Sequence, residues 1–268
     1  MSEARKRKPL AGKGIVVTRP THQAQGLVRL IEGAGGHPFL FPAIEISDVE
    51  DLGSFMRLID RLDEFDFAIF ISPNSVERSM KLIKARRELP PGLKIATIGG
   101  GGARELEAHG VTGVIVPEGR QDSEGLLDLP AFAVVSFKRV VIFRGVGGRE
   151  HLSDTLRERG ATVEYAECYR RYRPDLDPAQ LLRGWARNEI DAVTVTSSEG
   201  MRNLFEMVGE NGRGQLLRTP LFVPHPRIAE AARGLEFQTV VVTGPGDDGL
   251  LTGLNAFFRA RYRTTDKA

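Results

Sequence analysis

This chain predicts an α/β fold of doubly wound parallel sheets, and three observations predict it. Short apolar strand-like runs alternate with helix-like runs along nearly the whole length, a pattern that sets parallel strands between layers of helix. One unit occurs twice: the strand at 67–71 runs into Ser72-Pro73-Asn74-Ser75, and the strand at 192–195 into Thr196-Ser197-Ser198-Glu199-Gly200, each followed by helix-compatible sequence. Finally, 268 residues with a 41% apolar fraction suffice for two compact domains with real cores.

In chain order, 14–18 reads as a strand, 23–34 as a helix and 37–41 as a second strand. Residues 42–46 then form a short extended stretch that crosses rather than loops. Phe55, Leu58, Ile59 and Leu62 recur at helical spacing within 52–62. A strand at 67–71, a helix at 76–88, a strand at 94–98, a helix at 103–109 and a strand at 113–116 follow. A helix opens at 123–129, a strand lies at 139–143, and the helix at 149–159 ends at Gly160. Residues 162–169 are strand-like, and 170–174 are a second extended stretch ended by proline. The remainder reads as helix 179–188, strand 192–195, helix 201–208, strand 221–223, helix 227–234, strand 239–243 and helix 249–261. The two extended stretches divide the chain so that 1–42 and 175–268 form one discontinuous domain. Residues 46–168 form an inserted one, with 42–46 and 168–174 as linker. A simple division into N-terminal and C-terminal halves remains the alternative.

Net charge is +2, so the whole chain is not marked as a nucleic-acid binder. The basic cluster Arg5-Lys6-Arg7-Lys8 fits a solvated terminus. No run approaches the ~18 apolar residues of a membrane span, and the charged start lacks the apolar stretch of a secretory signal. Cys168 is the single cysteine, which excludes an intrachain disulfide, fits a cytoplasmic location and reads as packing. The five histidines are scattered without metal-ligand spacing. Gly99, Gly100, Gly101 and Gly102 lie between a strand and a helix but do not match G-x-G-x-x-G. They also lack a ribose-binding acid at the right distance. No metal or cofactor is expected.

The chemistry lies in the loops after the strands. These are Thr18-Arg19-Pro20, Ser72-Pro73-Asn74, Gly99 to Gly102, Ser123-Glu124-Gly125, Arg144-Gly145-Val146-Gly147-Gly148-Arg149, Ser197-Ser198 and Pro224-His225-Pro226-Arg227. Small residues and donors at helix N-termini attract anions, and arginines add bidentate carboxylate contacts. Taken singly, each loop reads better as a set of helix caps. Taken together at strand ends, they point to a shared polyanionic ligand gripped by the two halves. Tyr169 stands at the second crossing, where a phenol can assist a leaving hydroxyl. With Tyr165 and Tyr172 nearby, packing explains it as well.

These segments resemble the uroporphyrinogen-III synthase family over nearly the whole chain. The similarity runs through Val17-Thr18-Arg19-Pro20 with Gln25, Ile69 to Val76, Ala96-Thr97-Ile98-Gly99 with Ala103 and Leu106, and Pro117 with Ser123 to Leu127. It continues through Arg144-Gly145 with Gly148-Arg149-Glu150, Tyr169-Arg170-Arg171, Thr196 to Gly200, and His225 to Glu230. The resemblance implies two doubly wound, flavodoxin-like domains joined by a two-stranded linker. It also implies cofactor-free cyclisation of hydroxymethylbilane with inversion of its last ring through a spiro intermediate. That makes the chain a cyclising hydro-lyase, expected to receive its substrate by handover from hydroxymethylbilane synthase; a monomer is expected because the sequence shows no extra helix or coiled-coil seam.

On the same resemblance Tyr169 assists hydroxyl departure. Substrate binding falls to Arg19, Ser72, Asn74, Gly99, Gly100, Gly101, Gly102, Ser123, Arg144, Gly145, Gly148, Arg149, Ser197, Ser198, His225 and Arg227. One position departs from the pattern: Gly102 stands where the family often has threonine. A non-catalytic tetrapyrrole or anion sensor on the same scaffold is the rival function, and a phosphosugar or nucleotide protein the third.

Overall fold

The computed structural model describes residues 8–265; Arg5, Lys6 and Arg7 of the basic cluster lie outside them. In chain order the elements are β1 (Gly14–Val17), α1 (Thr21–Gly33), β2 (His37–Leu40), β3 (Glu45–Ser47), α2 (Gly53–Asp60), β4 (Phe67–Phe70), α3 (Pro73–Lys84) and β5 (Lys94–Thr97). Next come α4 (Gly100–Ala108), α5 (Ser123–Leu127), α6 (Pro130–Ala133), β6 (Arg139–Gly145), α7 (His151–Glu158) and β7 (Thr162–Tyr172). The chain continues through α8 (Ala179–Ala186), β8 (Ala192–Thr194), α9 (Ser198–Met207), α10 (Gly209–Arg218), β9 (Leu221–Val223), α11 (Pro226–Gly234), β10 (Val240–Val242) and α12 (Gly246–Thr265). Two units result: one joins the described residues up to Glu45 with those from Tyr172 onward, and the other is Ile46–Arg171.

The first unit carries a five-stranded sheet in the order β2-β1-β8-β9-β10, with every neighbouring pair parallel. Strand β1 is buried at every residue, as a strand covered on both faces must be. Its side chains alternate: Val16 joins Trp185, Leu204 and Val223 in one core. Ile15 and Val17 join Leu27, Ile31 and Leu254 in the other.

The second unit repeats the plan with β5-β4-β6-β7-β3, in which β4 pairs parallel with β5 and β6, and β6 with β7. Phe70 and Phe143 stack with their ring centroids 4.5 Å apart on one face. Phe67 and Phe132 meet at 5.1 Å, within the other core. In each sheet the order reverses beside a central strand, after β1 in the first and after β4 in the second. Ligands in doubly wound sheets bind beyond the strand ends at such reversals.

Several elements differ from the sequence expectation for local reasons. Residues 113–116 form no strand; Ile115 makes a single parallel bridge to Ala96, and Gly113 turns the chain with φ +68°. The helix expected over 123–129 ends at Leu127, and Pro130 opens the separate α6 after Leu129 has become extended. Helix α10 was not anticipated, because Gly209–Arg218 has three glycines and no apolar stripe. The strand-like 162–169 and the extended 170–174 join into one strand, β7, which continues to Tyr172.

Candidate active site

The reversal in the second sheet brings together the ends of β4, β6 and β7. Ser72 follows β4 and caps α3: its Oγ accepts from the Ser75 amide at 3.1 Å, and Ser75 Oγ accepts from the Ser72 amide at 3.0 Å. Proline at the first helical position completes this start signal. Asn74, in the first turn of α3, is half-buried.

Tyr169 reaches the same place by an irregularity in β7. Arg144 pairs with Glu167, but Gly145 pairs with Tyr169, so one residue, Cys168, is skipped. A bulge of this kind breaks side-chain alternation and re-aims the side chain beyond it. Consecutive Cys168 and Tyr169 accordingly enter the same core. Tyr169 is 2% exposed, and its phenol oxygen lies 3.2 Å from Ser72 Oγ. The ring lies over Gly145, where a Cβ would come 2.5 Å from Cε2 and 2.7 Å from Cζ. The main chain of Val146 donates to the Tyr169 carbonyl at 2.8 Å. Burial pushes the Cys168 thiol up to about 12, which keeps it protonated and unreactive and agrees with packing as its role.

Arg144, expected to bind substrate, is instead occupied within the protein. Its side chain is 4% exposed. It donates to the carbonyls of Gly145 and Gly147 and to Glu150 Oε1 at 3.0 Å. Its guanidinium also sits 4.5 Å from the Tyr165 ring centroid. Tyr165 donates to Glu150, and this bond, followed by Arg144, holds the Glu150 carboxyl below its ordinary range. Arg144 is thus the pin around which the loop 145–150 is folded. That loop leaves Gly148 and Arg149 exposed, with no ion pair to Arg149 among the described residues. Arg144→Ala strips the donor from two loop carbonyls and uncovers Tyr165. Chemical denaturation is expected to record a loss of about 2 kcal/mol, and a loss below about 0.5 kcal/mol would dismiss the pin.

The glycine loop opens α4, with Gly99 as its cap. The Gly100 amide is already taken by Gln121 Oε1 at 3.1 Å, and Gly101 packs near Pro73. Gly102 has a steric reason to carry no side chain. Thr97 is buried and donates to the Phe70 carbonyl at 2.8 Å. A Cβ at position 102 would overlap the Thr97 hydroxyl and lie 3.2 Å from its Cβ. Gly102→Thr is expected to cost about 1–3 kcal/mol of stability, part of which returns in a Thr97→Ala background. Equal stability of Gly102→Thr and the parent in thermal melts would refute this.

At α5 the cap is Asp122 rather than Ser123. Its Oδ1 accepts from the Gly125 amide at 2.9 Å, and Arg120 binds the same carboxylate at 2.6 Å. Aspartate before a helix is a standard start signal, so the position was readable. A carboxylate already fills that terminus, which weakens Ser123 as an anion contact.

In the first unit the reversal lies between β1 and β8. Thr18 donates to the Thr194 carbonyl at 2.8 Å and Thr194 to that of Val16 at 2.9 Å, which cross-ties the two strands. Arg19 is paired with Asp247, 228 residues away. Ser197 caps α9 by accepting from the Gly200 amide at 2.9 Å, and Ser198 is the first helical residue. His225 caps α11 through Nδ1, which accepts from the Arg227 amide at 3.1 Å, and both residues are exposed. Sequence reasoning missed the Asp122 cap, which a local signal marks, and it missed Glu150, Tyr165, Thr97, Gln121 and Asp247 as partners, which no local signal marks.

Comparison with known proteins bears on the chain as a whole. Residues 25–252 match the family model described as uroporphyrinogen-III synthase HemD. The chain is 34% identical over 245 residues to the uroporphyrinogen-III synthase of Escherichia coli K12, covering 90% of this chain and 99% of that protein. It is 33% identical over 245 residues to that of Salmonella typhimurium, with the same coverage. Among solved structures, a uroporphyrinogen III synthase mutant from Thermus thermophilus superposes with a TM-score of 0.63 at 19% identity. That match covers 96% of this chain and 100% of the other. The Helicobacter pylori enzyme superposes with a TM-score of 0.54 at 14% identity, covering 90% and 96%; at such identities the likeness supports the fold.

Proposed function

This chain belongs to the uroporphyrinogen-III synthase family, and from that membership we propose how its residues carry out the reaction. It is an enzyme of tetrapyrrole biosynthesis that cyclises hydroxymethylbilane. The observation that carries the residue-level proposal is the buried phenol of Tyr169, fixed between Ser72 and Gly145 at the reversal of the second sheet.

Loss of the terminal hydroxyl as water gives an azafulvene cation stabilised by its own pyrrole nitrogen. This makes the reaction a dehydration, hence a hydro-lyase, and asks for no metal or organic cofactor. The substituted carbon of the last pyrrole then attacks to give a spiro intermediate. Its fragmentation and reclosure turn that ring over. Tyr169 supplies the proton to the departing hydroxyl. Unassisted closure gives the non-inverted isomer, so the remaining task is to hold the chain in the shape that leads to spiro attack.

Carboxylate contacts in the second unit are assigned to Arg149, Asn74 and the Gly101 amide, the Gly100 amide being held by Gln121. Arg144, Ser123 and Ser197 are withdrawn from direct contact, because their polar groups or their helix terminus are already satisfied. The candidate proton donor and both its supports lie in one chain, so a monomer is proposed to suffice. Handover from hydroxymethylbilane synthase, in the cytoplasm, is the proposed supply. Among the described residues no helix is long and apolar enough to cross a membrane.

The test is incubation of the protein with fresh hydroxymethylbilane, oxidation, and chromatographic separation of the porphyrin isomers. Predominant isomer III is expected; isomer I alone, formed at the spontaneous rate, would overturn the proposal.

A further inference from the structure

Ser72 was expected to bind substrate, yet its hydroxyl is engaged on two sides within the protein. The Ser72 oxygen accepts from the Ser75 amide at 3.1 Å, which leaves its proton available, and its second neighbour is the Tyr169 phenol at 3.2 Å. Tyr169 is buried, so bulk water cannot readily support a charge on its oxygen. The same Ser72 caps α3, whose N-terminal end carries partial positive charge. The phenol therefore faces a hydroxyl that can donate and that is oriented by a helix start, while the ring is held over Gly145.

We infer that Ser72 is a positioning residue that works through Tyr169, aligning the phenol and donating to its oxygen as the proton leaves. This rests on the role of Tyr169 set out above. In the step, the substrate C–O bond breaks and its electron pair goes to oxygen. That oxygen takes the Tyr169 proton and departs as water, and the pyrrole nitrogen lone pair forms the new π bond to carbon. The phenolate keeps the O–H electron pair and accepts a hydrogen bond from Ser72. Ring closure later expels a proton from the reacting pyrrole carbon, and this proton restores the phenol. One water is lost and no net proton is consumed.

The experiment measures kcat, KM and melting temperature for Ser72→Ala, Ser72→Thr, Tyr169→Phe and the double variant Ser72→Ala/Tyr169→Phe. Ser72→Ala is expected to lower kcat about tenfold with KM within about twofold, while Ser72→Thr keeps most turnover. Added to Tyr169→Phe, Ser72→Ala lowers kcat no further, because the group it acts through is gone. The melting temperature still falls in both backgrounds, since the cap is lost in both. Should Ser72→Ala fold poorly, Ser72→Gly removes the hydroxyl at a helix start that tolerates glycine.

A loss that appears in KM, that multiplies with Tyr169→Phe, or that is absent altogether would overturn the role of Ser72. Slow turnover in Tyr169→Phe beside normal turnover in Ser72→Ala removes this inference alone. Normal turnover in Tyr169→Phe removes the Tyr169 assignment and the inference together.

Discussion

Tyr169→Phe is expected to cut turnover by roughly tenfold to several hundredfold, the lower part of the range for general acid catalysis. The substitution removes one oxygen and leaves the ring volume unchanged. The ring is 2% exposed, lies over Gly145 and shares a core with Phe70, Val141 and Phe143, so the fold is retained. The loss in stability is limited to the bond with Ser72, about 0.5–1.5 kcal/mol. Turnover and melting temperature therefore separate: a large kinetic loss accompanies a small thermal one. Isomer I should also gain in share, since spontaneous closure competes with a slowed enzyme. Turnover equal to the parent, measured under the same substrate conditions, would remove Tyr169 from the mechanism.

Gly145→Ala is expected to have the second large effect, by a different route. The added methyl would stand 2.5 Å from Cε2 and 2.7 Å from Cζ of Tyr169, closer than carbon atoms approach. Gly145 ends β6 as the register partner of Tyr169, so neither strand can withdraw without breaking the ladder. The ring must move, and its hydroxyl leaves Ser72. Turnover should fall about as far as in Tyr169→Phe, since the proton donor is present but displaced. Overpacking adds a stability cost of about 1–3 kcal/mol. In Gly145→Ala/Tyr169→Phe the kinetic losses should not multiply, because both act on the same proton transfer. A fully active Gly145→Ala protein would mean that the ring position does not matter.

Family membership makes the sensor alternative the less favoured function. What each residue of these loops can do follows from what its side chain or its amide touches. Arg144 illustrates the point. In sequence it is an arginine in a loop with Arg149, and the two are indistinguishable as carboxylate binders. In the structure one is buried against Tyr165 and bound to Glu150, while the other is exposed.

The sequence by itself determined the α/β class, the main strands and the loops that open the helices. These are local signals: strands buried on both faces read as apolar runs, such as Phe67–Phe70 and the 140–143 stretch of β6. Caps such as Ser72 and Ser197 bond to amides three residues on. Only the tertiary structure decided which of those loop residues are available to a ligand. The skipped Cys168 that turns Tyr169 toward Ser72, the Thr97 hydroxyl that makes Gly102 necessary, and the pairing of Arg19 with Asp247 arise between segments far apart in the chain. Periodicity and capping act over a few residues. Side-chain direction at a bulge, and the partner that neutralises a buried charge, depend on which strands and helices the fold sets side by side.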